Sequence, residues 1–488
     1  MTISNPNSET KVGVRQPEFG GPLVVGLDET LVQTDLLLES VFAYISANPL
    51  RAVKVLRSLL QGRAQLKADI ARDTPIDVAL LPYNEHVLSL IEDARNSGRE
   101  VYLASACNER YVEAVARHLS LFDGWFGSSD ARNLTGSVKA TLMVDRFGPR
   151  GFDYLGNGRR DLAIWSTARG RIAVGASARV VAALKRLDPT ADVLPTRTGG
   201  LRVWLRLFRV HQWTKNGLVF VPLFAAHLFT IRAFASAFVA AIAFSLAASA
   251  IYVVNDLIDI EADRKHRSKK NRPLAAGTAP VGQALNFAVT FLAIALGLGL
   301  LLPAPFTPVL AAYLATTTAY SLYLKRKLML DVVALAGLYT LRVIGGAVAV
   351  STIPTEWILA FSMFVFTSLA LLKRYAELAA RLDAALPDLT NRDYKRADLP
   401  VISALSAASG MNAVTVFALY ISSDNVHRLY RHPKALWLVC PILLYWIGRV
   451  IVLAERRLID DDPILFALRD GVSLLAFGAI ATIMIAAA

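Results

Sequence analysis

The stretch Asn255-Asp256-Leu257-Ile258-Asp259-Ile260-Glu261-Ala262-Asp263-Arg264-Lys265-His266-Arg267 follows a long apolar run and leads to Asn271-Arg272-Pro273-Leu274. Asn255, Asp259 and Asp263 recur at i, i+4 and i+8, and Asp256 stands three places before Asp259, so a helix would carry them on one face. Stacked carboxylates repel. They become favourable around a divalent cation, and Mg²⁺ at protein carboxylates commonly also binds substrate phosphates. Arg264, Lys265, Arg267, Lys269, Lys270 and Arg272 crowd the following positions. Acids beside cations suit a metal–diphosphate ligand. The competing reading is a solvated interfacial loop with local salt bridges.

Outward from this loop the chain is apolar. Nine spans are expected, at about 216–231, 233–254, 284–302, 306–324, 331–351, 357–372, 400–422, 435–454 and 470–488. Several approach the ~20 residues that a bilayer helix requires. With the N-terminus inside, the inner loops 255–283, 325–330, 373–399 and 455–469 hold 18 Lys and Arg, against 4 in the outer loops. That asymmetry follows the positive-inside rule and directs the aspartate loop to the cytoplasm. Arg342 and Arg449 fall inside spans. Buried ionisable groups there are site candidates, and interhelical ion pairs or snorkelling side chains are the alternative.

The whole chain has 488 residues, 54% hydrophobic and 19% charged, with a mean hydropathy of +0.43. Such apolar mass excludes disordered and fibrous classes. Two cysteines, Cys107 and Cys440, exclude a disulfide-stapled scaffold and a cysteine-rich zinc protein. Of the net charge of +13, residues 1–200 hold +2 and residues 201–488 hold +11. The basic half is therefore the hydrophobic half, which points to membrane topology and phosphates and not to nucleic acid.

The N-terminal half has another texture. Residues 1–20 lack an apolar core of the signal-peptide kind and read as a flexible lead, which leaves the following domain in the cytoplasm. Over residues 21–187, strand-length runs at Leu23–Leu27, Glu100–Ala104, Phe152–Leu155 and Ile172–Val174 alternate with helical patterns, which predicts a parallel α/β sheet. The helical segment 36–95 is too long for a simple crossover and reads as an inserted cap. Residues 188–200, rich in Pro, Thr and Gly, read as a linker to the membrane domain at 201–488.

Asn255 to Leu274 resembles the NDxxDxxxD…NRPL signature of the UbiA superfamily of intramembrane prenyltransferases. The resemblance implies an all-α bundle of nine transmembrane helices in the inner, cytoplasmic membrane. It also implies Mg²⁺-dependent transfer involving a polyprenyl lipid and a diphosphate-bearing substrate. Carried over, Asp256, Asp259 and Asp263 would hold the metal and Asn255 the substrate, with Arg272 of the NRPL run beside it. His211-Gln212-Trp213-Thr214-Lys215-Asn216 resembles an RxxQWxKN motif. Tyr320 to Lys325 with Asp331-Val332, Lys373-Arg374-Tyr375-Ala376-Glu377-Leu378, and Asp461-Asp462-Pro463 with Asp470 resemble further motifs of one branch, the polyprenyl-phosphate phosphoribosyltransferases. Aromatic prenyltransferases usually carry a second DxxxD. Here position 335 is Leu and Asp331 stands alone, which argues against an aromatic acceptor.

In that reading, Asp256, Asp259, Asp263 and Asp331 are catalytic. The donor's diphosphate leaves from an anomeric carbon and a lipid phosphate attacks, so no strong general base is needed. A 5-phosphate on the donor demands further cations, for which Lys215, Lys325, Arg342, Lys373 and Arg374 are candidates, with Tyr320 beside them. A prenyl diphosphate with an aromatic acceptor would use the same aspartates and fewer cations. A transporter is disfavoured because the acids lie in a loop and not at the midplane.

Val25-Gly26-Leu27-Asp28-Glu29-Thr30 resembles the first motif of haloacid dehalogenase (HAD) phosphatases, with Ser105, Lys139 and Gly156-Asn157-Gly158-Arg159-Arg160-Asp161 in the places of motifs two to four. Two departures stand out. The nucleophilic aspartate aligns with Gly26, and an acidic metal ligand aligns with Asn157. Asp28, Thr30 and Asp161 remain. The expectation is a degenerate HAD-like domain that does not work through a phospho-aspartate.

Overall fold

The computed structural model describes residues 20–48, 51–129, 132–195, 199–267, 269–384, 392–459 and 462–488. The lead before Gly20, residues 196–198 of the expected linker, and Asp461 lie outside the described residues. The chain divides into two compact units: residues up to Gly200 together with Leu257–Gly282, and Leu201–Asp256 together with Gln283–Ala488.

The first unit is built on six parallel strands: β1 (Leu23–Gly26), β2 (Val101–Asn108), β3 (Gly124–Ser128), β4 (Asp153–Gly156), β5 (Arg171–Val174) and β6 (Asp192–Leu194), in the order β3-β2-β1-β4-β5-β6. Successive residues alternate between two buried faces. Leu23 and Val25 enter one core with Leu103 and Leu155. Val24 enters the other with Tyr102 and Tyr154. A parallel sheet covered on both sides needs such doubly apolar strands. The four expected strands are present. The edge strands β3 and β6 had no pattern to betray them, being short and interrupted by Gly or Asp, and β6 lies within the stretch read as linker. The insertion between β1 and β2 is helical, with helices at Leu36–Ala47, Arg51–Gln61, Arg63–Asp73 and Glu85–Asn96. Asp35 caps the first by accepting from the Leu38 amide at 3.0 Å.

Leu257–Gly282 groups with this unit. Arg264 reaches Glu39 with two guanidinium hydrogen bonds, at 2.5 and 2.9 Å. The Gly199 amide donates to the Thr278 carbonyl at 3.0 Å.

The second unit is all-helical. Among the described residues, six helices are long and apolar enough to cross a membrane: Ile231–Ile258, Val281–Leu300, Leu330–Ala349, Glu356–Asp383, Arg396–Ile421 and Pro433–Glu455. Two further apolar helices, Phe306–Leu322 and Gly471–Ala487, have 17 residues each. Eight expected spans thus coincide with helices. The first, 216–231, does not form one continuous α-helix. It is an 11-residue 3₁₀ segment, Val210–Phe220, followed by the short helix Val221–Ala225 with Pro222 at its start. Proline cannot donate the amide that would join the two segments. The sixth span continues past 372 to Asp383, so Lys373–Glu377 extend from the apolar part of a 28-residue helix.

Candidate active site

The 3₁₀ segment is held along one face of Ile231–Ile258. Asn216 Nδ2 donates to Ser245 Oγ at 2.8 Å, Trp213 Nε1 to Ser249 Oγ at 3.0 Å, and Tyr252 Oη to Gln212 Oε1 at 3.0 Å. Arg209 pairs with Asp256 at 2.6 Å and stacks over the Tyr252 ring at 4.6 Å. Residues 245, 249, 252 and 256 lie on one helical stripe, and small hydroxyl residues inside a membrane bundle act as such interhelical glue. On the other side, Gly346 brings Leu330–Ala349 against the same segment. A Cβ at Gly346 would lie 2.0 Å from the Val219 carbonyl oxygen, so only glycine permits the approach.

That approach positions Arg342. Its guanidinium donates to Asn216 Oδ1 at 2.7 Å, to the Leu338 carbonyl at 2.7 Å and to Tyr313 Oη at 2.9 Å. Arg342 is buried at 5% exposure, and among the described residues no carboxylate pairs with it. Tyr339 connects it to a second cation: its ring lies 5.4 Å from the Arg342 guanidinium and 6.0 Å from Lys215 Nζ. Lys215 binds Asp462, and Lys373 lies 3.4 Å from the same carboxylate. Burial alone would raise the Asp462 carboxyl, but Lys373 and Lys215 override it and hold it at about 2. Two cations, Lys215 and Lys373, therefore share one acid, while Arg342 across the Tyr339 ring has neutral partners, and a net positive charge of this kind is suited to an anionic ligand.

Asp331 is fully buried. Its carboxylate faces Arg374 Nε at 2.8 Å and accepts from Tyr394 Oη at 2.6 Å, with Arg392 at 3.6 Å. Arg374 also donates to Glu377, and to Tyr320 Oη at 3.2 Å. Asp331 and Arg374 thus form a buried ion pair. Arg449 finds Asp470 at 2.7 and 3.1 Å, an interhelical ion pair.

The aspartate loop departs from one continuous helix. Asp256 lies near the end of Ile231–Ile258, a turn at Asp259 (φ −95°, ψ 8°) interrupts the helix, and Ile260–Lys265 resumes it. Asn255 donates to Ser321 Oγ at 2.8 Å and Asp263 pairs with Arg272 at 2.7 Å. Among the described residues, no three His, Cys, Asp or Glu side chains converge as a ready metal cage. Lys325 lies half-buried in the 3₁₀ turn Leu324–Arg326.

The first unit holds a cavity of about 860 Å³ over the strand ends, lined by Gly26, Asp28, Thr30, Ser105, Lys139, Asn157 and Asp161 among others. Ser105 Oγ donates to Asp28 Oδ2 at 2.7 Å and Asn157 Nδ2 to Glu29 Oε2 at 2.9 Å. Lys139 lies 3.5 Å from Asp161. The HAD-type positions therefore meet in space. Gly26 offers no nucleophile, and a Cβ there would stand 3.1 Å from the Leu155 carbonyl and 3.2 Å from Thr30 Oγ1. The unmodified chain is expected to leave p-nitrophenyl phosphate and phosphoserine intact. Steady phosphate release in a colorimetric assay would overturn this.

Burial and the neighbouring Asp28 push the Asp35 carboxyl up to about 7. A carboxyl raised above its ordinary 3.8 contributes stability present below that value and lost as pH rises through about 7. Protection of β1 and β2 against hydrogen exchange, corrected for intrinsic rates, should weaken between about pH 4 and 7, the interval between the ordinary and the raised value, and level off above it. Asp35→Asn, which keeps a capping oxygen, should flatten the dependence.

Residues 218–469 match the UbiA prenyltransferase family. The chain belongs to that family. It is an integral membrane transferase by descent. An uncharacterized protein y4nM of Sinorhizobium fredii is 35% identical over 93% of this chain and 88% of its own length. A decaprenyl-phosphate phosphoribosyltransferase of Mycobacterium tuberculosis is 35% identical over 37% of this chain and 63% of its own. A UbiA homolog from Archaeoglobus fulgidus bound to DMAPP and Mg²⁺ covers 58% of this chain and 98% of that chain, at 15% identity and a TM-score of 0.44. A phospho-aspartyl intermediate analogue of phosphoserine phosphatase covers 36% of this chain and 94% of that chain, at 16% identity and a TM-score of 0.26.

Within this UbiA-family chain, the structure brings together Lys215, Arg342 and Lys373 around Tyr339 and Asp462, and separately Tyr320, Asp331 and Arg374. Sequence reasoning assigned no role to Arg209, Tyr252, Tyr313, Tyr339 or Asp462. Arg209 is the first letter of the RxxQWxKN motif itself. Ser245, Ser249 and Tyr252 were visible as a polar stripe in an apolar helix.

Proposed function

We propose that the protein transfers a 5-phosphoribosyl group from phosphoribosyl diphosphate to a polyprenyl phosphate and releases diphosphate, at the cytoplasmic face of the inner membrane. The observation that carries this reading is Arg342, buried with only neutral partners beside Lys215 and Lys373. The 35% identity to decaprenyl-phosphate phosphoribosyltransferases supports it.

Asp256, Asp259 and Asp263 are hard oxygen donors of the type Mg²⁺ takes, and Mg²⁺ uses one or two carboxylates plus substrate phosphates in preference to an all-protein cage. Held there, it would neutralise the leaving diphosphate. The chain's own residues supply the rest. Lys215, Arg342 and Lys373 bind the donor's remaining phosphate and orient its anomeric carbon. The lipid phosphate oxygen forms the new bond as the bond to diphosphate breaks, and the electron pair leaves with diphosphate. Because the nucleophile is already an anion, no side chain has to remove a proton. The transition state has oxocarbenium character, and positive side chains stabilise the departing charge.

An apolar cavity supports the lipid side of this reading. Of about 320 Å³, with Pro222, Trp357, Phe361, Phe417, Tyr420 and Leu443 in its lining, it lies near the start of Glu356–Asp383. Lys373 lies 16 residues along that helix from Trp357, about 24 Å at ~1.5 Å per residue, a span suited to an isoprenoid chain.

The test is purified protein with Mg²⁺, labelled phosphoribosyl diphosphate and a polyprenyl phosphate. The expected result is label in the lipid phase, lost on chelation. Reaction only with a prenyl diphosphate and an aromatic acceptor would replace this reading.

A further inference from the structure

The helix Arg51–Gln61 (RAVKVLRSLLQ) turns the wrong side outward for a water-facing helix. Its inner side is identified by two contacts. Ser58 Oγ donates to Asp69 Oδ2 at 2.8 Å, and Val55 packs against the cluster of Tyr44, Leu66 and Ile70. At 100° per residue the opposite side carries Val53, Leu56 and Leu60. These are 71%, 60% and 82% exposed. Lys54 and Arg57, both exposed, flank them, and Arg51 stacks on Tyr44 at 4.7 Å. The helix contains no acidic residue. A surface helix of a soluble domain presents its polar face to water, and an exposed apolar patch edged by polar groups marks an interaction site.

We propose that this helix docks on an anionic lipid surface, with Val53, Leu56 and Leu60 in the headgroup–acyl boundary and Lys54 and Arg57 on lipid phosphates. Two observations favour this occupant. The charge on the helix is of one sign, complementary to anionic headgroups. A second copy would instead set cations against cations across a symmetric contact. The chain is also membrane-integral, so a bilayer is always at hand.

The test uses the full chain at one copy per lipid nanodisc, with Cys440 replaced by Ser and an environment-sensitive fluorophore on Leu60→Cys. Leu56→Cys is a second position, and exposed Glu92→Cys on Glu85–Asn96 is the reference. With phosphatidylglycerol present, doxyl lipids should quench the Leu60 label at least about twofold more than the Glu92 label, as for a helix lying in the interface. Phosphatidylcholine alone, or Lys54→Gln with Arg57→Gln, should remove the difference. Equal quenching at Leu60, Leu56 and Glu92 in both lipids would overturn the proposal. So would a protected label that appears only with two copies per disc.

Discussion

Asp256→Asn is expected to lower the transfer of labelled phosphoribosyl to lipid by about two to three orders of magnitude, the usual cost of removing one preorganised charge from a transition state. Asn keeps the shape and a single oxygen. It loses the negative charge that pairs with Arg209 at 2.6 Å and that a divalent ion would require. The protein should remain folded, because the contacts of Ser245, Ser249 and Tyr252 with the 3₁₀ segment are untouched. Turnover per folded molecule, measured beside a thermal melt, separates lost chemistry from lost structure. Activity within twofold of the parent would remove Asp256 from the site.

Arg374→Met has the largest expected effect on stability. Arg374 is 1% exposed and Asp331 0%, so the variant leaves a carboxylate in the interior with Tyr394 and the more distant Arg392. Breaking a buried pair from one side costs roughly 3–5 kcal/mol. Replacing both partners costs far less, so Asp331→Asn with Arg374→Met should recover much of the loss. Denaturation in detergent, followed for parent, single and double variants, gives the comparison. A double variant no better than Arg374→Met would show that Arg374 acts through Glu377 or Tyr320 instead.

The site was half legible in the sequence. Acids at helical spacing and cations at motif positions could be named from the letters alone, because a metal–diphosphate ligand restricts which residue types suffice. Their partners could not. Lys215 meets Asp462 across 247 positions and Arg209 meets Asp256 across 47, and no local pattern encodes such a meeting. Asp331 shows the consequence. The family resemblance names it a catalytic acid, and only the structure shows it fully buried against Arg374 and Tyr394. The expected single span at 216–231 failed for a related reason. Hydropathy reports that a segment is apolar, and it is silent on the 3₁₀ geometry that side-chain bonds to Ser245 and Ser249 stabilise.

What the sequence determined by itself was the class: a membrane bundle with basic loops behind an α/β domain that has glycine at the position of the phosphatase nucleophile. Those are properties summed along the chain or lodged in single letters, and they survive any folding of it. What only the tertiary structure decided was which charges neutralise each other and which stay unmatched. Arg342, with neutral partners, and the outward apolar face of Arg51–Gln61 both belong to that second kind. Burial and pairing depend on what the rest of the chain places nearby, and electrostatic and hydrophobic free energies follow that proximity and not sequence separation.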